Sequence, residues 1–241
     1  VTDAIEDDPA FAPVTAKYNS RLTELSALVG KTTIALDARS ATSRSEETNI
    51  ADFIADAFRR EGGADFALMN GGSIRADEVI EPGDLTLRDV LSILPFGGDL
   101  VKIEVTGDTL VKALEHGLGL TAPGAEPGRF PQVSGLRYSF DASRLPGVRL
   151  IDVTTADGKP IDPKKTYTLV TTAFVAGGGD GYAMLKGHAN LLKDKLTDSD
   201  VLRRAISTAK TIAPRTDGRI RRLDRPAEAQ PCKAAAAAGD R

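Results

Sequence analysis

Apolar residues at three- and four-residue steps open the chain. Phe11, Val14, Tyr18, Leu22, Leu25, Leu28 and Val29 share one side of a helix that the spacing predicts from Pro9 to about Gly30. Thr33-Ile34-Ala35-Leu36 reads as a strand, followed by a polar loop carrying Arg39 and Arg44. A second helix is expected from about Glu47 to Arg60, with Ile50, Phe53, Ile54, Ala57 and Phe58 inward and Gly62-Gly63 as its stop. Phe66-Ala67-Leu68-Met69 is a short, wholly apolar run, the pattern of a buried strand.

Glu81-Pro82-Gly83-Asp84 has turn chemistry. Thr86-Leu87-Arg88-Asp89 has the form of an N-cap with an acid at N3, opening a short helix that ends near Leu94. Leu100–Val105 alternates like a half-buried strand, and a helix over about 108–117 aligns Leu110, Leu114 and Leu118. Residues 119–128 are rich in Gly and Pro and read as a surface loop. Val133–Phe140, Val148–Thr155 and Thr166–Thr172 read as strands. Asp198 or Ser199 is expected to cap a last helix, carrying Val201, Leu202 and Ile206, before a final strand over 218–223. From Asp224 onward Pro, Ala, Glu and Gln dominate, the composition of a disordered tail. The pattern predicts an α+β fold in which 1–30 is a linker helix, 31–223 the compact domain and 224–241 the tail.

Composition narrows the function. The 241 residues are 41% hydrophobic and 27% charged, ordinary for a soluble globular chain. A net charge of −3 with interspersed signs argues against a nucleic-acid surface. No apolar run approaches the roughly 18–20 residues of a membrane span. The single cysteine, Cys232, excludes an internal disulfide and a multi-cysteine metal site. The chain starts at Val1 and reads as a processed or excised piece. Its two histidines, His116 and His188, lack metal-pair spacing and read as structural.

Four loops could carry chemistry. Asn70-Gly71-Gly72-Ser73-Ile74-Arg75 leaves a strand with two glycines, an amide and a guanidinium, either a tight turn or an anion loop. Arg39 and Arg44 could add charge for a phosphate. Phe96 and Phe174 sit at glycine-rich loop edges, each either tucked onto the core or half of a slot for a flat ring. Asp180 is a turn residue among glycines or an acceptor for sugar hydroxyls. Two tempting motifs fail. Gly30-Lys31-Thr32 has Leu25 where a P-loop needs its first glycine, and Gly177-x-Gly179 has Tyr182 where a dinucleotide fingerprint needs its third.

Five segments, in order, carry a resemblance: Arg44-x-x-Glu47-Thr48-Asn49, Asn70–Arg75, Leu94-Pro-Phe-Gly-Gly98, Gly128-x-Phe130-x-Gln132-Val-Ser-Gly135 and Gly178-Gly-Asp-Gly-Tyr182. The chain resembles the C-terminal, substrate-binding domain of the 5′-nucleotidase family, which includes UDP-sugar hydrolases and cyclic-nucleotide phosphodiesterases. The resemblance implies a layered α/β/β/α fold preceded by an interdomain helix. It implies that Phe96 and Phe174 sandwich the base, Asp180 binds ribose, and Arg44 and Arg75, with Arg39 as a third, bind phosphate. Asn70 would lie near the scissile phosphate and the base edge, with Gly71, Gly72, Gly178 and Gly179 shaping the loops. Asn49-Ile50-Ala51-Asp52 departs from the family's usual Asn-Leu-Gly-Asn at a helix start.

The family's hydrolytic machinery, two divalent metals and a catalytic His-Asp pair, belongs to an N-terminal metallophosphoesterase domain that this chain does not contain. The expectation is a nucleotide- or nucleoside-recognition domain of a periplasmic or secreted hydrolase, itself inactive and binding no cofactor. A non-catalytic nucleotide-binding module would need the same slot, and a structural domain with a degenerate pocket is the third reading.

Overall fold

The computed structural model describes residues 22–122 and 124–224, together with Phe11, Pro13 and Tyr18. Most of the expected N-terminal helix and the Ala-rich tail from residue 225 lie outside the described residues. Residues 22–25 are helical, but Leu28–Thr32 (β1) is a strand, which corrects the expected helix end at Gly30. Gly30 serves a close approach instead: a Cβ there would lie 2.7 Å from Ile206 Cγ2. The strand expected over 33–36 is displaced as well, with β1 before it and β2 (Leu36–Asp37) at its end.

The chain continues through a short helix α1 (Ser40–Ser43), α2 (Asn49–Gly62), β3 (Phe66–Asn70), β4 (Val79–Ile80), β5 (Gly83–Thr86) and α3 (Leu87–Ile93). Next come β6 (Leu100–Thr106), α4 (Gly107–Leu118), β7 (Pro131–Ser134), β8 (Leu136–Phe140), β9 (Leu150–Thr155) and β10 (Thr166–Thr172). A one-turn helix α5 (Ala173–Ala176), then α6 (Asp198–Ala209), β11 (Thr211–Ile212) and β12 (Ile220–Arg222) complete it. The strand expected over 133–140 divides at Gly135, whose φ of 82° breaks the extended run into β7 and β8.

Local chemistry sets the helix ends. Thr48 caps α2 by accepting from the Ala51 amide at 3.2 Å, and Gly63 closes it in the left-handed region. Thr86 and Asp89 form the expected capping box of α3. At α6 the cap is Thr197, not Asp198 or Ser199: its hydroxyl accepts from the Asp200 amide at 3.2 Å, which leaves Asp198 as the first helical residue.

A four-stranded sheet, β6-β10-β3-β7, forms the centre. β3 and β10 run parallel; β6 and β7 flank them antiparallel. Phe66 and Leu68 pack to one side with Leu110 and Leu114 of α4 and Leu136, Tyr138 and Phe140 of β8. Ala67 and Met69 pack to the other with Ile50, Ile54 and Phe58 of α2 and Val201, Leu202 and Ile206 of α6. Coverage of both faces is why β3 reads as an unbroken apolar run. Each such buried Leu or Phe stabilises the fold by roughly 1.5–3 kcal/mol. A second sheet, β12-β8-β9, lies beyond the first core cluster, giving a layered mixed α/β architecture.

The topology gathers the loops of interest. Because β3 and β10 are parallel neighbours, their carboxyl ends deliver Asn70 and Thr172 to the same sheet edge. β6 begins where Leu100 pairs with Thr172, so the Phe96–Gly98 loop arrives there too. β7 begins where Pro131 pairs with Asn70, which brings Gly128. Sequence segments far apart therefore meet where α/β sheets place ligands.

Candidate functional site

A cleft of about 400 Å³ lies at that edge. Seven of the expected residues line it: Arg44, Asn70, Gly72, Arg75, Phe96, Phe174 and Asp180. Ser73, Gly98, Gly128, Thr172 and Asp198 complete the lining; the first three lie in the matching segments without an assigned role, and Thr172 and Asp198 lie outside them.

The Asn70 loop is a 3₁₀ turn, Gly71–Ser73, held against its neighbours by backbone bonds. The Gly71 amide donates to the Phe130 carbonyl and the Gly72 amide to the Gly128 carbonyl, both at 2.7 Å. Both positions exclude a side chain: a Cβ would lie 2.2 Å from the Ser43 carbonyl oxygen at Gly71 and 2.8 Å from Gly128 Cα at Gly72. Gly71 thus supports the loop from behind, while Gly72 faces the cleft.

Asn70 is 4% exposed and both ends of its amide are engaged. Its Nδ2 donates to Asp180 Oδ2 at 2.7 Å, and its Oδ1 accepts from Ser73 Oγ at 2.6 Å. Asp180 has a φ of 52°, a left-handed conformation that Asp tolerates better than most residues. His116 Nε2 lies 2.9 Å from the Asp180 carbonyl oxygen, so Nε2 carries the donated hydrogen. The His116 ring also packs edge-on against Tyr182 with centroids 5.1 Å apart. His116 is a structural support of the Asp180 turn; His188 borders a separate surface hollow beside Thr106 and Thr109.

Phe96 and Phe174 are 65% and 56% exposed, large aromatic surfaces left open at the cleft. Gly178 has a φ of 87° at the start of the Asp180 turn, and Gly179 lies beneath the Phe174 ring, where a Cβ would come within 2.5 Å of it. These two glycines shape the loop behind the ring and do not line the cleft.

The arginines divide. Arg39 does not line the cleft with the other two; it forms a bidentate pair with Asp37, at 2.8 Å and 2.7 Å. That pair holds the Arg39 guanidinium above its ordinary pKa. Arg44, at the end of the unforeseen helix α1, has a buried Nε without a hydrogen-bond partner and one long bond of 3.4 Å from Nη1 to the Glu126 carbonyl. The Arg75 guanidinium stands 5.9 Å from the Phe96 ring centroid. Among the described residues neither Arg44 nor Arg75 forms an ion pair with a carboxylate, so both keep capacity for an anion. Hydrogen bonds from Ser40, with the fields of Arg44 and Arg75, hold the nearby Asp77 carboxyl below its usual value.

Asp198 is 2% exposed and touches the cleft at the Gly98 wall. Its Oδ1 accepts from the Ser199 amide at 2.6 Å. Burial pushes its pKa upward, against the pull of the Ser199 and Gly98 amides.

Among the described residues, Glu47, Asp52 and Asp217 bring carboxylate oxygens within 4.8 Å of one another, a spacing a metal could use. The Arg219 guanidinium already serves them as the cation, at 3.4 Å from Asp52 Oδ1 and 3.1 Å from Asp217 Oδ2. Glu47 receives the amides of Asp217, Gly218 and Ile220. The cluster does not line the cleft, and its chemistry fits an internal ion network rather than a hydrolytic metal pair.

Comparison with known proteins gives a consistent result. The profile of the family described as "5'-nucleotidase, C-terminal domain" matches residues 28–187. The chain is 32% identical over 233 residues to the trifunctional nucleotide phosphoesterase protein YfkN of Bacillus subtilis, covering 92% of this chain and 16% of that protein. It is 30% identical over 242 residues to 5'-nucleotidase of Homo sapiens, covering 92% of this chain and 42% of that one. Among solved structures, a 5'-nucleotidase precursor from Thermus thermophilus superposes with a TM-score of 0.80 at 32% identity, over 88% of this chain and 43% of that chain. The chain spans less than half the length of each of these relatives.

Proposed function

This chain belongs to the 5′-nucleotidase C-terminal-domain family, and on that premise we propose that it is the nucleotide-recognition domain of a two-domain phosphoester hydrolase. The observation that carries the reading is the joining of two open phenyl rings, two arginines that form no ion pair with a carboxylate among the described residues, and a pre-set carboxylate in one cleft of about 400 Å³. A nucleotide offers the three complementary parts. Its base stacks between Phe96 and Phe174. Its ribose hydroxyls donate to Asp180, whose other duty to Asn70 fixes its direction. Its phosphate lies toward Arg44 and Arg75.

Hydrolysis belongs, in this reading, to an N-terminal metallophosphoesterase domain of the same protein. Two divalent metals bound there would supply an activated water and stabilise developing charge. The contribution of the present residues is positioning, which lowers a barrier by fixing the reacting ester before chemistry begins. Nucleotide catabolism outside the cytoplasm, in a periplasmic or secreted setting, fits the family. No helix among the described residues is long and apolar enough to cross a membrane.

Crystals of the chain grown with AMP test the assignment. The expected density has the adenine between Phe96 and Phe174 and the phosphate beside Arg44 and Arg75; density elsewhere, or none, contradicts it. Phosphate release from AMP by the purified chain with added divalent metal would contradict the assignment of hydrolysis to another domain.

A further inference from the structure

Resting on the nucleotide reading above, we propose that Asp198 reads the edge of the base and favours nucleotides bearing an exocyclic amine over their oxo counterparts. The amine is that at purine C6 or pyrimidine C4. Thr197 takes the capping role at α6, which frees Asp198 from it. Asp198 is 2% exposed, and it lines the same cleft as the two phenyl rings. Its Oδ1 is occupied by the Ser199 amide at 2.6 Å. Its Oδ2 stands at the Gly98 wall, where a Cβ on Gly98 would lie 3.4 Å away. The Asp198 amide in turn donates to the Gly98 carbonyl at 2.9 Å, tying that wall to the helix.

Gly98 is two residues past Phe96. The loop that presents one stacking ring therefore puts no side chain in front of Asp198 Oδ2, although the Gly98 amide also draws on that carboxylate. A base stacked on Phe96 brings its rim toward this wall. The other acidic group of the cleft, Asp180, belongs to a different wall, bonded to Asn70 and 3.7 Å from where a Cβ on Gly128 would sit. The two carboxylates are thus available for different parts of one ligand, ribose and base edge.

An ionised carboxylate only accepts hydrogen bonds. An exocyclic amine donates to it, whereas a ring carbonyl in that place sets two acceptors against each other. Burial enlarges the difference, since an unmatched polar pair cannot be rescued by bulk water. Stacking on Phe96 and Phe174 tolerates every base, so the discrimination has to come from such a polar group.

Calorimetric titration of the chain with AMP, IMP, CMP and UMP tests this. The wild type is expected to bind AMP over IMP, and CMP over UMP, by about tenfold. Asp198→Asn keeps an oxygen for the Ser199 amide but can present N–H to the cleft, and should bring both ratios to unity or invert them. Gly98→Ala places a methyl before Oδ2 without altering Asp198, should narrow the ratios as well, and decides the matter if the Asp198→Asn variant fails to fold. Equal wild-type affinities for amino and oxo bases, or unchanged ratios in a folded variant, overturn the role of Asp198 while leaving the cleft intact. Failure of all four nucleotides to bind the wild type overturns the cleft reading and this inference together.

Discussion

Asn70 Nδ2 donates to Asp180 Oδ2 at 2.7 Å, joining the end of β3 to the loop after α5 across 110 residues of sequence. One side chain thereby orients the carboxylate assigned to ribose and, through Ser73, stiffens its own turn. Asn70→Ala removes both bonds and leaves Ser73 Oγ and Asp180 Oδ2 to find water. The expected cost is about 1–3 kcal/mol in urea unfolding, with adenosine affinity falling roughly tenfold. A variant as stable as the wild type that binds adenosine equally well would show that the bond organises nothing.

Asp180 combines a left-handed backbone, φ 52°, with a ligand-facing carboxylate. Asn tolerates that conformation, so Asp180→Asn should leave stability within about 0.5 kcal/mol and weaken adenosine binding. Asp180→Ala should be destabilised by about 1–2 kcal/mol as well. The wild type should prefer adenosine to 2′,3′-dideoxyadenosine, and the Asn variant should lose that preference. Matched titrations of the two nucleosides decide it.

Arg75 lines the cleft with its guanidinium 5.9 Å from the Phe96 ring centroid. Arg75→Gln is expected to reduce AMP affinity about tenfold while changing adenosine affinity little, because only the phosphate needs the charge. Raising salt should weaken AMP binding by the wild type more than by the variant. Equal losses for AMP and adenosine would place Arg75 with the base instead.

The network around Arg219 predicts a pH effect on stability. Burial, then the neighbouring Glu47, pushes Asp52 up to about 9 against the pull of Arg219. A carboxyl whose folded pKa exceeds its unfolded value near 3.8 binds its proton more tightly when folded. Its contribution is full below about 3.8 and is lost as pH rises toward about 9. Asp52→Asn, which mimics the protonated form, should flatten that slope and raise stability at pH 8 relative to pH 5. Urea unfolding of both proteins at the two pH values checks it; an identical slope contradicts it.

Much of this site could be read before the fold was known, and the remainder had physical reasons to stay hidden. Phe66–Met69 and Thr86–Asp89 announced themselves because burial on both faces and a capping box are local patterns. Phe96, Phe174 and Asp180 stood out as unusual residue types beside glycines. Arg39 and Arg44 looked alike in sequence, yet Asp37, two residues before Arg39, captures one, while the turn at Ser40–Ser43 carries the other into the cleft. Asp198 read as a helix cap until Thr197 took that place. Gly98 and Gly128 stood in the matching segments, but that they would meet in one cleft followed from strand pairing, which no local pattern records. The N-terminal helix was overextended because Gly30 resembles a stop, although it serves the approach of β1 to Ile206.

The central claim, that Phe96 and Phe174 form a base-stacking slot, is tested most directly by titrating AMP into the chain and its Phe96→Ala, Phe174→Ala double variant. Each ring is half or more exposed, so the double variant should remain folded. Stacking contributes roughly 1–3 kcal/mol per ring, which predicts saturable, one-to-one binding by the wild type and a loss of at least tenfold in the double variant. No binding by the wild type, or equal binding by both, contradicts it.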